Sequence, residues 1–380
     1  MRRAIIKTGL LGAFARGAIA AHAEITIGLS LGTTGPGASM GIPYKNALQL
    51  VPKTLGGEPV RYIVLDDESK PDNAAKNALK FVADYKIDAL MGSNNVPASL
   101  AMTQVAAEAK VPLIALAPLP QLAAEKHKWT FVVPQPPDLM MSAVAQHMKS
   151  RGIKTAGYIG YSDTWGDLVY NAISALSEAN GFKVVTNERF GRADASVAGQ
   201  VMKIIAADPD AVVVGGSGSP AATPQIALVE RGFKKPIYHN PGTVNLAFIQ
   251  TGKSAAEGAI APTGPLIVAE DLPDNFPTKT VSLDFVKRYE TMFGAGSRNG
   301  FAGYTYDGVL LLDAAVTVAL KKAKPGTPEF RVALRDAIES VNNLIGTHGV
   351  YNMTPANHNG QDERSRVLVH VMKGEWRLVK

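Results

Sequence analysis

The chain contains no cysteine, so its 380 residues form no disulfide. Its body also lacks an uninterrupted run of roughly eighteen apolar residues, the length that predicts a membrane-spanning helix. A chain of this length can bury a large core and needs no disulfides for stability. With 46% hydrophobic and 19% charged residues, the composition is that of a globular protein with room for two domains.

The formal net charge of +6 does not indicate nucleic-acid binding. Four of the 39 basic residues lie in the first 23 positions, which contain no acidic residue. Without that segment, 35 basic residues stand against 33 acidic ones, which is a net charge of +2. No dense stripe of lysine and arginine remains, so we expect no nucleic-acid partner.

The N-terminus has the pattern of a secretory leader. Residues 1–7 are basic, residues 8–21 are small and mostly apolar although Arg16 interrupts them, and Ala21-His22-Ala23 fits the A-x-A cleavage pattern. A buried first helix is the alternative, but a strand pattern begins directly after the small residues. We therefore predict that residues 1–23 are a signal peptide, cleaved near Ala23, and that the mature protein is exported.

Strand and helix patterns alternate along the chain. Short apolar runs such as 24–31, 60–65 and 89–91 are separated by helical segments of about 10–15 residues, which is typical of βαβ units and a parallel sheet. The alternation restarts after residue 133, so we predict an α/β fold with two lobes. Further predicted elements are helices at 281–293, 304–322 and 328–341 and a terminal hairpin at 366–372 and 375–379.

Motifs typical of enzymes occur without their required context. Residues 216–221 match the dinucleotide pattern G-x-G-x-x-A, but residues 238–240, about twenty positions on, contain no acid for a ribose hydroxyl. Two G-x-S-x-G matches place Ser30 inside a predicted strand and Ser39 in mid-loop, not on a strand-to-helix turn. The seven histidines lack metal-ligand spacing. We therefore expect no catalytic site, no metal and no cofactor.

Loops rich in glycine and hydroxyl groups follow most of the predicted strands. In open α/β sheets, ligands bind outside the carboxyl ends of the strands. The segment 89–120 has such a strand, loop and helix, and a loop that feeds a helix start favours an anion. A plain packed turn is the competing interpretation of each loop. The loops expected at this edge are 34–41, 93–99, 116–120, 161–166, 216–220 and 239–243.

Four motifs together carry a family resemblance. They are Thr34-Gly35-Pro36, Leu65-Asp66-Asp67-Glu68, Gly92 with Val111-Pro112-Leu113-Ile114, and Tyr304-x-Tyr306-Asp307. From Glu24 onward, the chain resembles the type I periplasmic solute-binding proteins of ABC importers, in the branched-chain amino-acid (Leu/Ile/Val) class.

The resemblance implies two Rossmann-like lobes with parallel sheets, joined by a three-stranded hinge, that close on a ligand in the cleft. It also implies a periplasmic, monomeric protein without catalytic activity, whose partners are a small-molecule ligand and a membrane permease. The lobes that it implies are residues 24–135 plus 262–345 for lobe 1, and residues 136–261 plus 346–380 for lobe 2.

Departures from the family indicate the class of ligand. Family members hold an α-carboxylate at the helix start after the third strand, where Ser99 or Asn95 stands. They hold the α-ammonium with a hydroxyl and an acid, but the matching positions are Ala117-Pro118-Leu119-Pro120 and His239-Asn240-Pro241-Gly242. A buried ammonium without a counter-charge costs several kcal/mol. We therefore predict a carboxylate without an amino group, preferably an aromatic acid such as benzoate or hydroxybenzoate.

Two alternatives stay open. The ligand is a branched-chain or other hydrophobic amino acid held through a different ammonium site, or the domain senses a ligand for a receptor, which requires a membrane-spanning segment after it. For the preferred ligand, aromatic residues of the strand-end loops are placed to stack on a ring, and His239 or Asn240 to bond a ring hydroxyl. The residues expected to contact the ligand are Met40, Asn94, Asn95, Ser99, Ala117, Pro118, Tyr161, Trp165, Ser217, His239 and Asn240.

Overall fold

The computed structural model describes residues 24–379. The predicted signal peptide lies outside the described residues. Among the helices of the described part, none is both long enough and apolar enough to span a membrane.

The first sheet is built from the N-terminal third of the chain. Its strand order is β2-β3-β1-β4-β5-β6, with all neighbours parallel except the antiparallel pair β2 and β3. The strands are β1 Ile25–Leu31, β2 Thr54–Leu55, β3 Glu58–Asp66, β4 Ala89–Gly92, β5 Leu113–Ala115 and β6 Thr130–Val132. The connecting helices are α1 Ala38–Ala47, α2 Pro71–Asp84, α3 Val96–Ala109 and α4 Ala124–His127.

The second sheet contains the middle of the chain and its C-terminus. Its order is β15-β14-β11-β10-β9-β7-β8, parallel from β11 to β8 and antiparallel at β14 and β15. The strands are β7 Thr155–Tyr161, β8 Lys183–Phe190, β9 Ala211–Gly215, β10 Ile237–His239, β11 Ile260–Thr263, β14 Val367–Met372 and β15 Glu375–Leu378. The connecting helices are α5 Pro137–Ser150, α6 Thr164–Ser177, α7 Ala198–Ala206, α8 Ala222–Glu230 and α9 Leu246–Gly252. The predicted terminal hairpin is therefore confirmed.

Two late helices, α11 and α12, return to the first sheet, and α10 packs beside them in a cluster with α1 and α11. Val309 and Leu312 of α11 are buried in one cluster with Ile27 and Leu29 of β1, and burial of such side chains drives this return. The cluster defines the first lobe. The remaining elements are α10 Lys279–Phe293, α11 Gly300–Ala319, α12 Pro328–Ile338, and the short antiparallel pair β12 Leu344–Ile345 and β13 Val350–Tyr351. The three predicted late helices are thus confirmed as elements.

The chain crosses between the lobes three times, which gives the two-lobe α/β fold that the sequence predicts. The crossings are residues 133–136, the segment after β11, and residues 354–366. Tyr351 and Met353 pack in the core of the first lobe. We therefore place the third crossing after Met353, later than the predicted boundary at residue 346.

Side-chain caps start two helices inside segments that were predicted as loops. Asn95 accepts a hydrogen bond from Ala98 N, so α3 begins at Val96, and Asp163 accepts from Trp165 N, so α6 begins at Thr164. Helix α1 also begins inside a predicted loop, at Ala38, but without a side-chain cap. Met40 and Trp165 consequently lie in the first turns of helices, where the prediction had loops.

The acidic pair Asp66-Asp67 at the end of β3 organises the neighbouring loops. Asp66 accepts hydrogen bonds from the backbone N–H groups of Thr33, Thr34 and Glu68. Asp67 is buried and accepts from the hydroxyls of Ser30 and Ser93. The pair therefore holds the loops that follow β1, β3 and β4 in one arrangement.

Candidate functional site

A cavity lies between the lobes at the carboxyl edges of both sheets. Clefts at such edges are the usual place for a small ligand in α/β proteins. Its first-lobe wall comes from α1, the start of α3, the loop after β5 and the start of α11. Its second-lobe wall comes from α6 and the loops after β8, β9 and β10. Pro134 and Gln135 of the first crossing close it between the two walls.

The first-lobe wall is aromatic. The ring centroid of Tyr44 lies 5.8 Å from that of Phe301 and 6.3 Å from that of Tyr304, in stacked arrangements. The Tyr44 hydroxyl donates to Leu116 O at 2.7 Å, and the Tyr304 hydroxyl donates to Gln135 Oε1 at 2.7 Å. Burial raises the pKa of Tyr304 well above its usual value, so the phenol stays neutral. This wall therefore presents flat apolar ring faces to the cavity. The hydroxyl groups of its two tyrosines already donate to protein acceptors.

Two asparagines on this wall differ in whether the side-chain amide has a group without an intramolecular hydrogen bond. The Asn94 side chain accepts a hydrogen bond from Gly32 N at 2.6 Å and donates one to Gly37 O at 3.3 Å. Both its oxygen and its nitrogen therefore bind the segment between β1 and α1. Asn95 uses its oxygen as the cap of α3, accepting from Ala98 N at 3.0 Å. Its Nδ2 is buried without a hydrogen-bond partner among residues 24–379. Because Asn95 lines the cavity, this amide is a donor available to a ligand.

The second-lobe wall carries a charge. Within the described part of the chain, Arg192 is the one charged side chain in the cavity lining. Its Nε lies 2.6 Å from Asp163 Oδ2, and its Nη1 donates to Ser217 Oγ at 3.4 Å. The guanidinium carbon stands 4.3 Å from the ring centroid of Tyr161. These contacts fix a planar cation at the cavity edge, the geometry that suits a carboxylate.

Asp163 does not cancel this cation fully, because it also serves the start of α6. Its Oδ1 accepts from Trp165 N at 2.9 Å and from Gly166 N at 3.3 Å. Part of the negative charge is thus compensated by the positive end of the helix. Arg192 therefore retains positive charge to offer an anionic ligand.

Seven predicted contact residues do line the cavity. The structure brings them together from five different loops and helix starts across both lobes. They are Met40, Asn94, Asn95, Ala117, Pro118, Trp165 and Ser217.

The other four predicted residues lie behind the walls. The Ser99 hydroxyl is fully buried and donates to Gly92 O at 2.9 Å. The Tyr161 hydroxyl donates to Ser217 O at 2.7 Å, and its ring supports Arg192. Both hydroxyls thus serve the fold, because each already has an intramolecular acceptor.

His239 and Asn240 are also held by internal partners. His239 Nε2 lies 2.8 Å from Gln225 Oε1, and burial lowers the pKa of the imidazole to about 3, so the ring is neutral. Asn240 donates to Val214 O and Gly216 O and accepts from Gly242 N. Neither side chain is therefore placed to form the predicted hydrogen bond to a ring hydroxyl of the ligand. Asn240 instead shapes the loop that presents Gly242 to the cavity.

The prediction from sequence missed several lining residues. Arg192 follows β8, and the rule that ligands bind beyond strand ends applies to its loop as well as to the six that were considered. Tyr44, Phe301 and Tyr304 look like ordinary core aromatics in the sequence. Gln135 reaches the cavity because it lies in the first crossing, where no periodic pattern marks it.

Comparisons with known proteins agree with this geometry. A model of the periplasmic binding protein family matches residues 24–369. A solved structure from Rhodopseudomonas palustris HaA2, described as an extracellular ligand-binding receptor, is 46% identical with a TM-score of 0.92; the match covers 94% of this chain and all of that one. The comparison with curated protein sequences found no match.

More distant structures share the fold. A leucine-binding protein from Thermotoga maritima is 22% identical with a TM-score of 0.80, over 94% of this chain and 98% of that one. A solute-binding protein of an ABC transporter from R. palustris, solved in complex with benzoate, is 20% identical with a TM-score of 0.80, over 94% and 95% of the two chains.

The two lobes and the cavity between them define a binding protein of the type I periplasmic fold. The chain belongs to the periplasmic binding protein family. Members of this family are solute-binding proteins and not enzymes.

Proposed function

We propose that this protein is the extracytoplasmic solute-binding component of an ABC importer and captures a small aromatic carboxylate, such as benzoate or hydroxybenzoate. The observation that carries the proposal is the charge of the cavity lining. Arg192 contributes the one charge there within residues 24–379, and it is positive. A carboxylate that meets this guanidinium forms charge-assisted hydrogen bonds, which are the stronger kind.

An amino acid fits this lining less well, because its ammonium needs a counter-charge. The acid that adjoins the cavity, Asp163, is already bonded to Arg192 and to the start of α6. A buried ammonium without such a partner costs several kcal/mol. The cavity therefore favours an acid that has no amino group.

The aromatic character of the walls supports a ring in the ligand. Tyr44, Phe301 and Tyr304 line one wall and Trp165 lines the other. A ring stacked on such faces gains about 0.5–1.5 kcal/mol beyond the burial of its area. Asn95 Nδ2 supplies a further donor for an oxygen of the ligand. The benzoate complex of the distant R. palustris protein is compatible with this ligand class but is similar only in fold.

Export and delivery complete the proposal. The family model begins at residue 24, directly after the segment that we interpret as a signal peptide, which supports export of the mature protein to the periplasm. The protein acts as a monomer whose two lobes close on the ligand, and the membrane permease recognises the closed form. A sensor domain of a receptor is the second candidate, favoured by the description of the 46% identical relative.

Titration of residues 24–380, stripped of resident ligand by unfolding and refolding, tests the proposal. Calorimetry should show binding of benzoate or 4-hydroxybenzoate and little heat with leucine or valine. Tight binding of leucine or valine without binding of the aromatic acids would overturn the ligand class and leave the family unaffected.

A further inference from the structure

The two lobes touch directly beside the mouth of the cavity. Ser219 N donates a hydrogen bond to Ser39 Oγ at 3.1 Å, across 180 residues of sequence. Ser39 lies in the first turn of α1 in the first lobe, next to the lining residue Met40. Ser219 begins the short turn between β9 and α8 in the second lobe, next but one to the lining residue Ser217.

Gly218 makes this close approach possible. Its φ of +62° lies in the left-handed region that glycine adopts without strain, and its N–H donates to Gly242 O at 2.8 Å. A Cβ at this position would lie 2.7 Å from Ser39 Oγ, which is closer than two such atoms can approach. The backbone of the second lobe therefore meets the serine of the first lobe with no room for a side chain.

Apolar contacts join the lobes elsewhere along the cavity. Val96 and Ala117 of the first lobe lie in one buried cluster with Trp165 of the second lobe. These contacts exclude water but are not directional. The bond from Ser219 to Ser39 is directional and specifies one relative position of the two lobes.

We propose that Ser39, Gly218 and Ser219 form a closure latch, which stabilises the closed form and sets how long a ligand stays bound. The inference rests on one part of the proposed function, that the ligand occupies the cavity between the lobes, and not on the ligand's identity. Contacts made only in the closed form slow opening and therefore lower the dissociation rate.

The first test measures closure in the ligand-free protein. Because the chain has no cysteine, Lys76→Cys on α2 and Asn171→Cys on α6 place one spin label on each lobe, at exposed positions. In this background, Ser39→Ala should shift the distance distribution towards the open form. The control is Ser142→Ala, which removes a hydroxyl that donates to Leu139 O inside α5, and it should leave the distances unchanged.

The second measurement is the dissociation rate of benzoate by stopped flow. Loss of one neutral hydrogen bond should raise this rate about 2- to 10-fold in Ser39→Ala and leave the association rate unchanged. Unchanged distances and an unchanged dissociation rate would overturn the latch. If the distances change but no aromatic acid binds, the result supports the latch and contradicts the proposed ligand class.

A double-mutant cycle isolates the contact between the lobes. Gly218→Ala places a methyl group against Ser39 Oγ, whereas in Ser39→Gly that oxygen is absent. The strain of alanine at positive φ is common to both backgrounds and cancels in the cycle. Gly218→Ala should therefore open the protein more when Ser39 is present than in Ser39→Gly. Additive effects of the two substitutions would contradict the latch.

Discussion

The two walls of the cavity differ in how their polar groups are used. On the first-lobe wall, the hydroxyls of Tyr44 and Tyr304 donate to protein acceptors, so the wall presents mainly ring faces. On the second-lobe wall, Arg192 presents a cation that Asp163 neutralises only in part. Selection by shape thus belongs mainly to one lobe and selection by charge to the other. A ligand with both a ring and a carboxylate satisfies both walls only when the lobes close on it.

The largest expected effect comes from the charged wall. Arg192→Gln removes the cation and should weaken aromatic carboxylate binding about 10- to 100-fold, the usual worth of a hydrogen bond to a charged group. The matched control is Arg189→Gln near the end of β8, three residues before Arg192, whose guanidinium lies over Tyr158 and Tyr170 and outside the cavity lining. Calorimetry of both variants checks the comparison. An equal loss of affinity in both variants would contradict a specific role of Arg192 in binding the carboxylate.

The aromatic wall should respond mainly in stability. Tyr304→Phe keeps the ring but leaves Gln135 Oε1 without its donor, so the free energy of unfolding should fall by about 1–3 kcal/mol. Ligand affinity should change less than in Arg192→Gln, because the ring face remains. Urea unfolding and titration of the same variant measure both quantities. A larger effect on affinity than on stability would mean that the phenol contacts the ligand.

His239, behind the charged wall, should affect the pH dependence of stability and not binding. Burial lowers its pKa to about 3 in the folded protein, whereas in the unfolded chain the imidazole titrates near its ordinary pKa of 6.5. The unfolded state therefore binds a proton that the folded state does not, and the stabilisation present above pH 6.5 is lost as the pH falls towards 3. His239→Gln should flatten the slope of stability between pH 6.5 and 5 by up to about 1.4 kcal/mol per pH unit.

Urea unfolding across that pH range measures the slope for both proteins. Affinity for benzoate at pH 7.5 should be the same in His239→Gln as in the parent. A loss of affinity with an unchanged slope would place the imidazole at the ligand after all.

The smallest expected effects separate two residues near the start of α3. Asn95→Ser keeps a good helix cap but removes the free amide donor, so ligand affinity should fall by about 1 kcal/mol. Ser99→Ala removes a hydroxyl that donates to Gly92 O, so stability should fall by about 1 kcal/mol with affinity unchanged. Titration and unfolding of the pair check this. The reverse pattern would restore Ser99 as the anion receptor.

Much of the fold could be predicted because periodicity reports burial. The alternation of β1, α2, β4 and α3, and the terminal hairpin, follow from patterns that local sequence contains. Helix starts were less accurate, since they depend on which side chain caps the backbone, as Asp163 and Asn95 do.

The site was predicted as a set of loops more reliably than as a set of side chains. Strand-end loops do form the cavity, but Ser99 and His239 point to internal partners that sequence spacing does not reveal. The contact between Gln135 and Tyr304 spans 169 residues, so it depends on how the crossings pack and has no local signal. The position of Arg192 after β8 did indicate a place at the ligand site. The rule that ligands bind beyond the carboxyl ends of strands was applied to too few loops.

We expect the cavity to bind a carboxylate and not to accommodate an adjacent ammonium. Matched pairs of ligands that differ only in the amino group test this claim directly: 3-phenylpropanoate with phenylalanine, and 4-methylpentanoate with leucine. Calorimetric titration should show each acid binding roughly 100-fold or more tightly than its amino acid, since the unpaired ammonium costs several kcal/mol. An amino acid that binds as tightly as its deaminated partner would contradict the claim.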